Sequence, residues 1–424
     1  MNTEELRIAA AAYGTPTYIF DVREVETRIR LLRSLLPEGT GLCFAVKANP
    51  FLIPYVADMV DRLEVCSPGE YEICIQEQIA PEKIVVSGVN KTYESMKRIL
   101  SYSKGAGIYT IESEEHAKIL RTLAEKNHMQ LSVLIRLSSG NQFGVDAETF
   151  IRLAKEVQES PYLTLAGVHY YAGTQKRQSK LEKEMDTLAA FAGTFEAETG
   201  TRLSELEYGA GMKVSYFVND SEKDQRESEP EPQIQALAEK LRTCDAYGKK
   251  TIELGRFLVS MSGYYLTRVM DVKRTAQPGF VILDGGIHQI NYYGWMMGMK
   301  QPEIKVLAEK DGDDCILLEH GGADGKSECS LPENSDAGEM FHLCGSLCTV
   351  NDVLARDVTL HNPEKGDVIC FKRCGAYAAT EGMAMFLSRE LPQVLICRTD
   401  GKIEKLRDRV ETYPFHGCGN WNQM

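Results

Sequence analysis

The sequence predicts an α/β plus all-β fold class: a closed (β/α)8 TIM barrel joined to a second, β-rich domain. Between residues 40 and 260, short apolar runs alternate with longer segments whose apolar residues recur three and four positions apart. This alternation is typical of buried parallel strands and the amphipathic helices that cover them. Eight such runs favour the closed barrel over a doubly wound sheet. The runs are 42–46, 63–65, 84–86, 108–111, 133–137, 165–171, 206–208 and 252–254.

The segments between these runs support the same fold. Segments 113–126 and 146–159 carry an apolar face and a charged face, which predicts surface helices. In a barrel of this kind, functional side chains lie at the carboxyl ends of the strands. We therefore expect the functional site there.

After Arg256 the pattern changes to strand-like runs separated by Gly, Asp and Asn turns, at 279–283, 315–318 and 368–371. This change predicts a mostly β domain, and we expect the opening run 17–21 to pair into it. The predicted domains are a barrel over 24–262 and a β domain made of 1–23 plus 263–424. The acidic, proline-containing segment 219–233 is predicted to be a solvated loop insertion.

Composition excludes several classes of function. The net charge of −13 disfavours a nucleic-acid partner, which would require a basic face. No apolar stretch has the length of a membrane span, and the first twelve residues do not resemble a secretion signal. Twelve scattered cysteines predict reduced thiols and a cytoplasmic protein.

Four of these cysteines form two Cys-x3-Cys pairs, Cys344 with Cys348 and Cys370 with Cys374. Four thiolates suit a metal, but structural zinc sites usually have tighter spacing within turn-rich knuckles. Because Cys370 lies inside a predicted strand, the pattern disfavours a metal site. A redox role for the pairs stays open.

Lys47 ends the buried run 42–46 and is followed by the turn signal Asn49-Pro50. Partial burial of a lysine favours its neutral amine, which is the form that reacts with carbonyl groups. The alternative interpretation is a lysine that caps the strand and extends its ammonium into water.

Other strand ends carry groups that suit a phosphorylated aromatic cofactor. His169 and Tyr171 are two residues apart on one strand, so their side chains point to the same side. A glycine turn can present backbone N–H groups to a phosphate. Further strand-end motifs are Gly173-Thr174, Tyr208-Gly209-Ala210-Gly211 and Glu253-Leu254-Gly255-Arg256.

At this point the chain resembles the fold-type III pyridoxal-phosphate decarboxylases, which include diaminopimelate and ornithine decarboxylases and share an alanine racemase-like architecture. The resemblance covers nearly the whole chain. Its ordered motifs are Phe44-Ala45-Val46-Lys47-Ala48-Asn49, Glu64-Val65-Cys66-Ser67 with Gly69-Glu70, Gln142-Phe143-Gly144, Gly173-Thr174-Gln175, Gly209-Ala210-Gly211, Glu253-Leu254-Gly255-Arg256, Cys348 with Asp352, and Gly375-Ala376-Tyr377.

The resemblance implies a role for each matched residue. Lys47 would hold pyridoxal 5'-phosphate as an internal imine, and Glu253 would keep the pyridine nitrogen protonated. Tyr171 stands where the family usually stacks a histidine on the ring. Cys348, reaching in from the second subunit of a homodimer, would protonate the carbon left by CO₂. The remaining cofactor-binding residues implied are Glu64, His169, Thr174, Gly209, Gly211, Gly255, Arg256 and, from the partner chain, Tyr377.

Three departures from the family bear on the substrate. Thr349 replaces the glutamate that follows the cysteine in diaminopimelate decarboxylases, and a hydroxyl cannot bind a distal ammonium in the same way. The aromatic and methionine-rich stretch 292–300 replaces an arginine-containing segment, and the loop 138–141 is short. Thr349 and Asp352 are the predicted substrate-binding residues.

With these three departures, the chain resembles the subgroup of the family that decarboxylates amino acids tethered to a carrier protein. The first alternative is a diaminopimelate decarboxylase that makes L-lysine from free meso-diaminopimelate. The second is a pyridoxal-dependent amino-acid racemase, and the third is a regulatory protein that only binds the cofactor. The substrate is thus predicted to be a free, small-molecule amino acid or an aminoacyl carrier protein, with no nucleic-acid or membrane partner.

Overall fold

The computed structural model describes residues 1–275, 277–307 and 338–417. The chain divides into two compact units. The β unit comprises Met1–Glu24, Ser215–Glu222 and Ser260–Met424, and the barrel unit comprises Val25–Val214 and Lys223–Val259. A closed parallel barrel and a separate mixed sheet confirm the predicted fold class.

The barrel unit is built around eight parallel strands that close on one another in chain order. Short apolar strands are buried here because helices cover the outside of the barrel and side chains fill its interior. Numbered along the whole chain, the strands are β2 (Gly41–Ala45), β3 (Arg62–Val65), β4 (Ile84–Val86), β5 (Ile108–Ile111), β6 (Leu131–Arg136), β7 (Leu163–Tyr171), β8 (Glu205–Gly209) and β9 (Lys249–Leu254).

The barrel helices begin at polar caps that the sequence displays. The side chains of Ser113 and Asp146 each accept a backbone N–H of the first turn, which confirms the two predicted helices. The helices are α2 (Val22–Leu35), α3 (Ile53–Val56), α4 (Pro68–Gln76), α5 (Tyr93–Ser103), α6 (Glu114–Asn127), α7 (Ala147–Glu159), α8 (Gln178–Thr199), α9 (Glu222–Glu227), α10 (Pro230–Thr243) and α11 (Arg256–Val259).

The prediction of a loop over 219–233 is wrong, because this segment contains α9 and the start of α10. Pro230 occupies the first turn of α10, where its missing N–H costs nothing. Ion pairs from Lys213 to Asp224 and Glu227 hold α9 against the barrel. The helix lacks an apolar face, so hydrophobic periodicity could not reveal it.

In its described residues, the β unit contains a nine-stranded mixed sheet and the α-helix α1 (Thr3–Tyr13). Strand β1 lies inside the sheet, antiparallel to β10 and parallel to β16. Leu6 of α1 packs with Ile19, Leu266 and Leu395 in the core of this unit. The strands are β1 (Thr17–Asp21), β10 (Gly263–Lys273), β11 (Gly279–Leu283), β12 (Ile304–Leu307), β13 (Glu339–Cys344), β14 (Val353–Leu360), β15 (Val368–Lys372), β16 (Gln393–Cys397) and β17 (Ile403–Arg407).

Two further expectations from the sequence concern a strand-like run at 315–318 and membrane-spanning segments. The predicted run 315–318 lies outside the described residues. Among the helices that the structure describes, none is both long and apolar enough to cross a membrane.

Candidate active site

Lys47 lies just beyond β2, in a short 3-10 turn over Val46–Ala48. Its Nζ is 2.6 Å from Oε2 of Glu64 and 3.7 Å from Oε1 of Glu253. These carboxylates come from β3 and β9, the two strands that pair with β2. Both carboxylates are buried, whereas about a third of the Lys47 side chain is exposed (34%). The amine therefore sits between two fixed acceptors and stays accessible from the barrel mouth.

Cys66 is a third partner of this amine. Its Sγ lies 3.4 Å from Lys47 Nζ, and the thiol donates a hydrogen bond of 3.3 Å to Oε1 of Glu64. Burial and the neighbouring Glu64 carboxylate raise the pKa of the Cys66 thiol well above its ordinary value. In the sequence, Cys66 stands within the motif Glu64-Val65-Cys66-Ser67, without a role of its own. Its position two residues after Glu64, on the same side of the strand end, was the signal for a site residue.

Glu253 also binds His169, whose Nε2 is 2.9 Å from Oε2 of Glu253. Burial raises the pKa of the Glu253 carboxyl. The Lys47 charge and the hydrogen bond with His169 lower this pKa by more, so it lies below its ordinary value. Glu253 is therefore a carboxylate at neutral pH. Nδ1 of His169 is buried without a hydrogen-bond partner among the described residues.

One group of potential metal ligands occurs in the described part of the chain, and it consists of Glu64, His169 and Glu253. Their ligand atoms lie within 4.8 Å of one another. The Lys47 ammonium already contacts both carboxylates and offsets part of their negative charge, so the arrangement suits an amine rather than a metal ion.

A turn of glycines follows β8 and lies against Tyr171. A Cβ on Gly209 would come within 2.5 Å of Cδ2 of Tyr171, and a Cβ on Gly211 within 2.1 Å of the Gly173 carbonyl oxygen. Gly211 also has a φ of +58°, which favours glycine. The turn therefore keeps its backbone bare and brings the Tyr171 ring onto it. Burial raises the pKa of the Tyr171 hydroxyl, with Lys47 opposing the effect.

Polar side chains brace this turn. Arg256, buried at the start of α11 directly after Gly255, donates from Nε to Oγ1 of Thr174 at 3.3 Å. Lys176 Nζ donates to the Gly209 carbonyl at 3.0 Å and to Oε2 of Glu184 at 2.7 Å. Sequence reasoning missed Lys176, because no recognisable motif has a lysine at this spacing from Gly209 or from Glu184.

A second buried chain of charges links the ends of β4, β5 and β6. Lys91 Nζ is 3.6 Å from Oε1 of Glu112, and Arg136 NH1 is 2.9 Å from Oε2 of the same carboxylate. The Arg136 guanidinium also stacks 4.7 Å from the centre of the Phe143 ring, in the short loop after β6. Burial lowers the pKa of Lys91 to about 8, although Glu112 opposes the effect. This chain was not predicted, although each member stands at or near a strand end.

The barrel residues fit pyridoxal phosphate by their chemistry. An accessible amine at Lys47 suits an aldehyde, and an ionised carboxylate at Glu253 suits a protonated ring nitrogen. Tyr171 offers an aromatic face. The glycine turn, where Cβ atoms are excluded, offers a bare backbone beside the Thr174 hydroxyl.

The remaining predicted residues belong to the β unit. Cys348 is exposed and Thr349 half-buried on the loop between β13 and β14. Asp352 is buried and accepts the backbone N–H groups of Ile287 at 2.8 Å and Leu347 at 2.7 Å, so it holds this loop together. Burial raises the pKa of the Asp352 carboxyl, with these two hydrogen bonds opposing the effect. Tyr377 is half-buried, with a φ of +63°. The part these residues play in catalysis or binding stays a prediction.

Comparison with known proteins agrees with this chemistry. Residues 22–260 match the family model described as "Pyridoxal-dependent decarboxylase, pyridoxal binding domain". The chain is 27% identical over 392 residues to the diaminopimelate decarboxylase of Pseudomonas aeruginosa, covering 87% of this chain and 84% of the relative. It is 25% identical over 445 residues to the L-glutamyl-[BtrI acyl-carrier protein] decarboxylase of Niallia circulans, covering 96% and 94%.

The fold has the same relatives. The crystal structure of diaminopimelate decarboxylase from Helicobacter pylori complexed with L-lysine superimposes with a TM-score of 0.77 at 22% identity, covering 97% of this chain and 98% of that one. The predicted enzyme class, a pyridoxal-dependent amino-acid decarboxylase, is confirmed. Because the family model spans more than half of the 424 residues, the chain belongs to the pyridoxal-dependent decarboxylase family.

Proposed function

We propose that this enzyme uses pyridoxal 5'-phosphate held by Lys47 to remove the α-carboxylate of an amino acid that is tethered to a carrier protein or otherwise modified at its distal end. The observation that carries the reaction is the Lys47 amine, 2.6 Å from Glu64 and 3.7 Å from Glu253 at the barrel mouth. Such an enzyme would serve a biosynthetic pathway.

Pyridoxal phosphate, when bound, supplies an electron-withdrawing ring that accepts the electron pair released with CO₂. Lys47 would hold its aldehyde carbon, Glu253 its ring nitrogen and Tyr171 one face of its ring. The groups that would hold its phosphate are the glycine turn Gly209–Gly211, Thr174, Gly255, Arg256 and Tyr377.

The residues of the chain manage charge and protons around these groups. Glu64 accepts a hydrogen bond from Lys47, so it is placed to take the proton that the ammonium must lose before the amine can react. Glu253 stays ionised because Lys47 and His169 outweigh its burial, and a fixed negative charge holds a proton on the atom it faces. His169 keeps that carboxylate oriented through its Nε2 contact.

We further propose that Cys348 donates the proton that replaces CO₂, acting in a homodimer in which each copy completes the other's site. Cys348 is exposed in this single chain. Large apolar side chains are also exposed in the β unit, three of them consecutive at 385–387, and a group of exposed apolar side chains supports a protein interface here. They are Val350 (91%), Met385 (38%), Phe386 (44%) and Leu387 (50%). A second copy of the chain is the partner that would cover them.

The substrate preference rests on the loop between β13 and β14. Thr349 supplies only a hydroxyl, and the adjacent Asp352 carboxylate is already bound to two backbone N–H groups. Asp352 would therefore act on the substrate through the loop that it fixes. A distal ammonium such as that of diaminopimelate finds no free carboxylate on these two residues, which supports a substrate whose distal amine or carboxylate is masked.

A substrate panel tests this function directly. The holoenzyme is supplied with carrier-bound glutamate, free meso-diaminopimelate and other amino acids, and CO₂ release and product chirality are measured. We expect CO₂ from the carrier-bound or modified amino acid. Efficient lysine formation from free diaminopimelate would overturn the substrate preference, and racemised substrate without CO₂ would overturn the reaction.

We also place the enzyme in the cytoplasm, which is supported by nine free thiols in the described residues.

A further inference from the structure

We propose that a pocket within the β unit, which we call the tail pocket, binds the uncharged, amide-bearing tail of the substrate. The tail pocket has a volume of about 450 Å³. It lies between segment 291–297, the loop that contains Asn351, and residues 381–383. The lining residues that carry the argument are Asn291, Trp295, Met296, Met297, Asn351 and Met383.

The first observation is an unused hydrogen-bond donor on Trp295. This side chain is 6% exposed, and its Nε1–H has no acceptor among the described residues. A buried donor without an acceptor is unfavourable, and Trp295 lines the tail pocket, so we assign the missing acceptor to an oxygen of the occupant. The indole is held edge-on to Tyr292, with ring centres 5.4 Å apart, and the Tyr292 hydroxyl donates to the Lys372 carbonyl at 2.6 Å. The donor is therefore in a fixed position before any ligand arrives.

The second observation is the thioether wall formed by Met296, Met297 and Met383. Each of these side chains is more than half exposed (58%, 60% and 53%). Met296 and Met297 both have a φ of +53°, a conformation that costs free energy for residues other than glycine and is concentrated at functional sites. Flexible, polarisable methionine side chains adapt to a flexible apolar chain.

The third observation is the charge of the lining. Among the described residues that line the tail pocket, none is lysine or arginine, and Glu381 is the one acidic residue. A tail that ends in a carboxylate would meet no cation and one like charge. A tail that ends in an ammonium would pair with Glu381 but would offer no hydrogen-bond acceptor to the Trp295 N–H.

An amide satisfies both kinds of group. Its carbonyl oxygen accepts from Trp295, and its N–H donates to the side-chain oxygens of Asn291, Asn351 or Glu381. The arm through which carrier proteins present acyl groups is a flexible chain that contains such amides. We therefore assign the tail pocket to this class of ligand.

The tail pocket is built on the loops that the proposed function assigns to the reaction, and this inference rests on that proposal. Asn351 belongs to the loop that bears Cys348 and Thr349. The Asn291 backbone N–H donates to the carbonyl of Ala378, the residue after Tyr377, at 3.1 Å.

Tryptophan fluorescence provides the first test, because the chain has two tryptophans, Trp295 and Trp421. A Trp421→Phe holoenzyme leaves Trp295 as the sole indole. It is titrated with pantetheine, which carries two amides, and with pimelate and 1,5-diaminopentane, which carry charges at both ends. We expect saturable change with pantetheine alone. A response to pimelate or the diamine at lower concentration, or no response to pantetheine, would overturn the assignment.

A substitution provides the second test. Trp295→Phe removes the N–H and keeps an aromatic ring, so pantetheine binding measured by calorimetry should weaken about 3- to 10-fold, the value of one neutral hydrogen bond. Met340→Leu, an exposed methionine elsewhere in the β unit, is the matched control and should bind as the parent does. Equal pantetheine affinity in all three proteins would contradict the role of Trp295.

The two proposals fail in different ways. If the holoenzyme binds pantetheine but releases no CO₂ from any amino acid, the proposed function fails and the tail pocket stands. If it releases CO₂ and Trp295→Phe leaves the KM for carrier-bound and free substrates equally unchanged, the tail pocket fails and the decarboxylase stands.

Discussion

Replacing Glu253 by Gln removes one negative charge and keeps the shape of the side chain. In the structure this carboxylate faces the Lys47 ammonium at 3.7 Å and is 5% exposed. Two unit charges at that separation attract by about 4 kcal/mol at an effective dielectric constant of about 20. In the proposed function, the cation that Glu253 would face once pyridoxal phosphate is bound is the protonated ring nitrogen. Loss of about 3–4 kcal/mol of this stabilisation corresponds to a fall in kcat of about 10²- to 10³-fold.

The assay is CO₂ release by the holoenzyme at saturating cofactor, with bound cofactor quantified separately. Glu205→Gln is the matched control, because Glu205 is also a barrel carboxylate with 5% exposure but binds Arg62 and Thr251 instead. We expect the control to retain kcat within about tenfold, less than one and a half kcal/mol of barrier. A Glu253→Gln enzyme whose kcat matches that of the control would refute the assigned role of this charge.

Three further outcomes are expected. Lys176→Met leaves the buried Glu184 carboxylate with Tyr208 as its one hydrogen-bond donor among the described residues and with Lys180 as an ion-pair partner at 4.0 Å. The free energy of unfolding should fall by about 3 kcal/mol, the low end for a broken buried ion pair, and cofactor binding should weaken. A Lys176→Met/Glu184→Leu protein should recover most of the stability, and a single variant as stable as the parent would contradict the brace. Cys348→Ala should slow product formation with cofactor stoichiometry unchanged, and undiminished turnover would remove its role as acid. Burial raises the pKa of Glu207 from 4.5 to about 7, so the folded state holds this proton more tightly and stability should fall by about 3 kcal/mol as pH rises from about 4.5 to 7. The difference between the denaturation midpoints at pH 5 and pH 8 should be smaller in Glu207→Gln than in the parent protein. An equal difference in both proteins would show that Glu207 does not cause the pH dependence.

The barrel was predictable because its strands are buried on both faces and therefore appear as apolar runs. The predicted run at 84–86 coincides with β4, and the run at 108–111 coincides with β5. The residues at strand ends were predictable for a related reason, since Lys47 directly follows such a run and Glu253 lies within the last one, at the end of its strand. The Gly-x-Gly pattern at 209–211 also predicted a tight turn, and the structure gives the reason, because a Cβ at either glycine would collide with neighbouring atoms.

What escaped prediction depends on contacts between residues far apart in the sequence. Lys91, Glu112 and Arg136 form one chain only because the barrel places the ends of β4, β5 and β6 side by side. Helix α9 depends on ion pairs with Lys213 rather than on an apolar face. The unused donor on Trp295 could not be predicted from the sequence, because its burial and its missing acceptor are properties of the folded β unit.

Borohydride trapping shows directly which lysine holds the cofactor. The holoenzyme is reduced with sodium borohydride, digested, and the modified lysine is located by mass spectrometry. Lys47, Lys91 and Lys176 are the three lysines whose contacts with strand-end residues are described above. We expect the cofactor on Lys47 and no trapped cofactor in Lys47→Ala. Cofactor on Lys91, Lys176 or any other lysine would overturn the assignment of Lys47.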